Sequence, residues 1–210
     1  MSITIQKIGP TEIEAESFRI IEEELGPHDF DLSTFKVVQR VIHATGDFSF
    51  ADNMRFHSEG ITRAIQFIED GRNILTDVNM VAAGISKGML AEFGGTVTCL
   101  VADKDVALKA RKAGKTRSEI AIEQGISDVG IVAIGNAPTA LLKAMACLTE
   151  MKPDDRPVII GVPVGFVNAA ESKALLFEKE YPYITSLGRK GGSPVAAAIT
   201  NALIRLAVQK

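Results

Sequence analysis

Apolar residues recur in this chain with two rhythms: helical spacing through the first third, and short unbroken β-branched runs in the second half. Thr11 and Glu14 spell a capping box after Pro10, opening a helix that runs to about Leu25 and stops at Gly26-Pro27. Asp31 is expected to cap a second helix with the stripe Leu32, Phe35, Val38 and Ile42, ended by Gly46. Residues 48–50 and 54–56 read as a loop or a short strand, and residues 58–69 as a helix stopped at Asp70-Gly71. Residues 73–77 predict a strand followed by a helical piece at 80–83, and residues 96–101 a stronger strand. Two helical pieces, 103–112 and 116–124, are broken at Gly114.

Three times in the second half an apolar run ends in glycine and hands over to a helix. The junctions are Gly130-Ile131-Val132-Ala133-Ile134-Gly135-Asn136-Ala137-Pro138, then Val158-Ile159-Ile160-Gly161-Val162-Pro163-Val164-Gly165-Phe166-Val167-Asn168, then Tyr183-Ile184-Thr185-Ser186-Leu187-Gly188-Arg189-Lys190-Gly191-Gly192-Ser193-Pro194. Such alternation predicts parallel strands buried on both faces. The expected fold is a single α/β domain over residues 1–210, with a mostly parallel sheet of about five strands flanked by helices and an N-terminal helical layer. In such sheets ligands sit at the carboxyl ends of the strands, and helix N-termini there present free N–H groups suited to anions.

Composition narrows the partners. A formal net charge of −3 over 210 residues argues against nonspecific nucleic-acid binding, which needs a basic stripe. No stretch approaches the ~18 uninterrupted apolar residues of a membrane span. Residues 1–7 lack the apolar core of a signal peptide, and Cys99 and Cys147 read as small buried hydrophobes, so a reducing cytoplasm is the simplest setting.

The candidate chemistry is sparse. The junctions match neither G-x-G-x-x-G nor a P-loop, so nucleotide binding has little support, and any single glycine could serve only a tight turn. Three junctions together, with Arg189-Lys190 in the last loop and Lys173 in a helix opened by Asn168, favour anion binding. Thr116 and Glu119 spell a second capping box, placing Arg117 in a first turn where a cation opposes the helix dipole yet could grip a carboxylate. With Arg111, Lys112 and Lys115 nearby, the plain alternative is a solvated surface arginine. His43 borders an apolar stripe in the last turn of its helix, beside the negative end of the helix dipole, a suitable place for a general acid. Ser17 falls on the apolar face of the first helix, where its hydroxyl is expected to bond back to the carbonyl of residue 13. The three histidines lack metal-ligand spacing, and no nucleophile elbow is present.

Several long motifs resemble the precorrin-8X methylmutase family of cobalamin biosynthesis. They are Arg40-Val41-Ile42-His43-Ala44-Thr45-Gly46-Asp47, Thr116-Arg117-Ser118, Val132 to Leu141, Gly161 to Lys173, and Gly188-Arg189-Lys190-Gly191-Gly192-Ser193. The resemblance implies a cofactor-independent isomerase that moves a methyl group from C11 to C12 on ring C of a corrinoid, and a homodimer with the ligand near the subunit interface. It also implies that His43 is catalytic and that Ser17, Ser86 and Arg117 contact substrate; Ser86 stands where the family also uses threonine. Arg189, Gly191 and Gly192 join the expected substrate site through the last glycine loop. A non-catalytic tetrapyrrole carrier and a phosphate- or nucleotide-binding α/β enzyme are the competing readings.

Overall fold

Strand burial sets the architecture. All six residues of β4 (Val129–Ile134) and all four of β5 (Val158–Gly161) and β6 (Tyr183–Ser186) are buried, so helices must cover both sheet faces. In the computed structural model, which describes residue 9 and residues 11–209, these strands join β1 (Met54–Phe56), β2 (Asn73–Thr76) and β3 (Val97–Thr98) in the order β1-β6-β5-β4-β2-β3. The five strands β2 to β6 run parallel, as the sequence predicts. The sixth, β1, is antiparallel to β6 and takes up the ambiguous residues 54–56.

One face carries α2 (Leu32–Thr45), α4 (Gly60–Glu69), α5 (Asn79–Gly84), α6 (Lys87–Ala91) and the long α11 (Ser193–Val208). The other carries α8 (Arg117–Gly125), α9 (Pro138–Glu150) and α10 (Ala169–Phe177). The N-terminal layer is α1 (Ile13–Leu25) against α2, with α3 (Ser49–Asn53) leading into β1 and α7 (Lys104–Ala113) bracing α8. No helix among the described residues is long and apolar enough to cross a membrane.

Local signals held where they were self-contained. Asp31 accepts the N–H groups of Ser33 and Thr34, Gly46 closes α2 at φ +64°, and the Thr116–Glu119 capping box forms. The Thr11–Glu14 box does not form, because the Glu14 carboxylate pairs with Arg40 on α2 instead. Leu32 is 73% exposed, outside the buried stripe of α2, which is Phe35, Val37, Val38, Gln39, Val41 and Ile42. Residues 48–50 enter helix α3 rather than a strand. The strand expected over 96–101 shrinks to two residues, since a turn from the Leu100 carbonyl to the Asp103 N–H closes it, leaving Cys99 half-buried in a loop. Cys147, on α9, is half-buried too. Residues 1–7 lie outside the described residues.

Candidate active site

Because β2, β4, β5 and β6 are parallel neighbours, the loops at their carboxyl ends share one edge of the sheet. The chain leaves β2 for α5 on one face and β4 for α9 on the other, so a crevice is expected between them. The protein fills it with its own carboxylate. Asp77, fully buried, accepts the Gly135 N–H at 3.1 Å on Oδ1, and the Asn136 and Ala137 N–H groups at 2.9 and 2.8 Å on Oδ2. Burial pushes this carboxyl above the usual range, against the opposing pull of the three N–H groups. The first glycine junction therefore has no free N–H cradle at Gly135, Asn136 and Ala137, contrary to the expectation of an anion grip there. The sequence signal was a charged residue abutting a buried strand: it had to find donors.

The loops after β5 and β6 also part to opposite faces, toward α10 and α11, but they are tied together first. The Gly192 N–H donates to the Val162 carbonyl at 2.8 Å, and the Gly165 N–H to the Arg189 carbonyl at 3.2 Å. A Cβ on Gly191 would stand 2.2 Å from the Val162 oxygen, so its missing side chain serves the approach of one loop to the other. At Gly192 there is space, and the φ of +120° is what favours glycine. Asn168 precedes α10 at φ +60° without a side-chain capping bond. Lys173 cannot grip an external anion, since it is fully buried and donates to the Lys190 carbonyl. The Lys190 ammonium is engaged as well, with Asp47 Oδ2 at 2.6 Å and Ser49 Oγ at 2.9 Å, and with Ser49 it holds the Asp47 carboxyl down at about 2. Arg189 keeps an open guanidinium, 5.4 Å above the Phe166 ring. Phe166 and Val167 are 83% and 78% exposed, an apolar surface that a composition-based search for polar groups overlooks.

His43 is exposed in the last turn of α2, its imidazole edge-on to Phe18 with ring centroids 5.2 Å apart. Arg40 lies 4.6 Å over the same Phe18 ring and pairs with Glu14, which it holds below the usual carboxylate range. Ser17 is the residue before Phe18; it is half-buried, and its Oγ donates to the Ile13 carbonyl at 2.7 Å, as expected. Arg117 is exposed at the start of α8, where the Thr116 hydroxyl lies 3.0 Å from that of Thr139 in the first turn of α9. It lines an open cleft of about 550 Å³ with Arg111 and Lys115. Ser86 is half-buried, its N–H held by Asn201 Oδ1 of α11 at 2.8 Å.

His43 thus packs on Phe18, the residue that follows Ser17 in α1, and Arg189, Gly191 and Gly192 share a loop fastened to the end of α2 through Lys190. No hydrogen bond among the described residues joins Ser86 or Arg117 to that group. Nor do three His, Cys, Asp or Glu side chains gather among them to hold a metal ion. A cleft of about 500 Å³ beside Asp31 and His57 lies at the opposite end of α2 from His43.

The family profile described as precorrin-8X methylmutase matches residues 12–206. The cobalt-precorrin-8 methylmutase of Priestia megaterium is 43% identical over 209 residues, covering 98% of this chain and 90% of that protein. The precorrin-8X methylmutase of Pseudomonas aeruginosa is 37% identical over 192 residues, covering 90% and 91%. The crystal structure of the precorrin-8X methylmutase from Thermus thermophilus superposes with a TM-score of 0.85 at 41% identity, covering 95% of this chain and 97% of that one. With the match running through both sheet faces and every carboxyl-end loop described above, the chain belongs to the precorrin-8X methylmutase family.

Proposed function

We propose that this isomerase moves the methyl group on ring C of a corrinoid precursor from C11 to C12, converting precorrin-8 or its cobalt form to hydrogenobyrinic or cobyrinic acid. The observation that carries the reading is the family match across residues 12–206. A corrin precursor is a broad apolar macrocycle ringed by carboxylates. The exposed Phe166 and Val167 offer an apolar seat, Arg189 stands above Phe166, and Arg117 sits in a cationic cleft. Carboxylates of the ligand would pair with these arginines, and the Ser17 and Ser86 hydroxyls would complete the contacts. Gly191 lets the last loop close on the loop after β5, and Gly192, at φ +120°, turns that loop into α11 beside the expected macrocycle.

His43 is the general acid of this proposal. Proton donation to the ring C nitrogen or an adjacent position would withdraw electron density and let the methyl migrate. The double bonds then rearrange, and the proton returns to the same imidazole. No external group is consumed, so the protein lowers the barrier by positioning and electrostatics. On one chain the clefts beside Arg117 and beside Phe18 and Arg40 are open and hold about 550 and 220 Å³. A homodimer, with the macrocycle held near the subunit interface, would supply the remaining wall. The reducing cytoplasm suits the two unpaired thiols Cys99 and Cys147.

The test is His43→Asn, which keeps a polar side chain but cannot deliver a proton. Corrinoid binding should stay within a few fold while methyl migration slows by at least ~10²-fold. Binding with migration at the wild-type rate would remove His43 from the mechanism.

A further inference from the structure

Lys173 is the largest fully buried side chain of the fold, and none of the ion pairs among the described residues includes it. Among the described residues its ammonium has one hydrogen-bond partner, the carbonyl of Lys190. A cation buried without a counter-ion costs stability, and an apolar side chain of similar volume would serve packing better. Burial alone pushes this amine down to about 8. A costly arrangement of this kind is explained by what it holds in place.

What Lys173 holds is a junction. The Lys190 carbonyl also accepts the Ser186 hydroxyl at 3.2 Å, which fills its second lone pair. The Lys190 side chain then reaches away from the sheet to Asp47 at 2.6 Å and Ser49 at 2.9 Å. Asp47 follows the left-handed Gly46 that ends α2, four residues beyond His43, and its Oδ1 accepts the Ser49 N–H at 3.0 Å. The same loop is pinned by Gly165 N–H to the Arg189 carbonyl at 3.2 Å and by Leu187 N–H to the Asn53 carbonyl at 2.8 Å. A continuous path of bonds therefore runs from α10, through the loop bearing Arg189, to the end of α2 bearing His43.

We propose that Lys173, Lys190 and Asp47 are positioning residues, a strut that keeps the ligand-holding loop at Arg189 in register with His43. None of the three touches the reacting atoms in this proposal, which rests on the reading of His43 as the acid. Its effect falls on turnover, because a displacement of about 1 Å between bound ligand and catalytic group can cost up to ~10²-fold in rate. The rival role is that Lys190 leaves Asp47 to grip a ligand carboxylate.

Single-turnover rates and corrinoid affinities of Asp47→Asn, Lys190→Met, the double variant and the charge exchange Asp47→Lys/Lys190→Asp decide between these. The strut predicts that each single variant slows migration about tenfold with affinity within about twofold. It also predicts that the double variant is no slower than either single one, and that the exchange recovers most of the loss. Lys143→Met, which breaks the 2.7 Å pair with Glu123, should turn over at the wild-type rate. Lys173→Met should melt no lower than wild type yet turn over more slowly. Weaker binding at unchanged rate in Lys190→Met, or tighter binding in Asp47→Asn, would make Lys190 a ligand contact and overturn the strut. A Lys173→Met protein that melts lower and turns over normally would confine Lys173 to structure. Should His43→Asn keep the wild-type rate, the reading of His43 fails; should it be slow while Asp47→Asn and Lys190→Met are fast, only the strut fails.

Discussion

Two cations on the carboxyl edge of the sheet illustrate how neighbours decide a residue's task. Arg117 and Lys173 both belong to family-like motifs, yet one is exposed, with no counter-ion among the described residues, and the other is fully buried. Arg117→Ala should weaken corrinoid binding by about 1.5–3 kcal/mol, typical of a lost charged hydrogen bond. Arg111→Ala, in the same cleft, should cost less. Equal small losses in a titration would return Arg117 to the solvated surface. Lys173 carries a prediction about stability. Its amine falls from 10.5 to about 8 in the folded chain, so between those values the unfolded chain holds more protons. The Lys173 contribution to stability must therefore rise with pH across that window. Denaturant unfolding at about pH 7.5 and about pH 10 should show wild type gaining relative to Lys173→Met. A constant difference would mean that the amine is not perturbed.

At the level of elements, legibility followed range. The caps of α2 and α8 were readable because each is closed by residues within three positions of it. The cap of α1 was not, because Glu14 is drawn 26 positions away to Arg40. For the same reason residues 54–56 read equally as a loop or a short strand: they become β1 only by pairing with residues 184–186. The three glycine junctions were visible as strand–loop–helix units, but not the use each would make of its backbone. Asp77 satisfies the first, and the second and third bond to one another. Gly191 tests that coupling. Because an alanine Cβ would meet the Val162 oxygen, Gly191→Ala should lower stability by about 1–3 kcal/mol and separate the two loops. Unchanged unfolding would show that the loops part at no cost.

Across the whole molecule, the five parallel strands serve as a rigid base on which α2 and the glycine loops meet at one edge. Curated relatives of similar identity carry two names, cobalt-precorrin-8 methylmutase and precorrin-8X methylmutase, one naming a cobalt-containing substrate and the other not. The most direct measurement is therefore incubation of the purified protein with metal-free and with cobalt-containing precorrin-8, following the visible spectrum and the product mass. An intramolecular methyl shift leaves the mass unchanged while the extended conjugation alters the absorption. That outcome is expected with at least one of the two substrates, at a rate dependent on His43. A corrinoid that binds with a shifted spectrum but is recovered with its methyl group still on C11 would contradict it and leave a carrier.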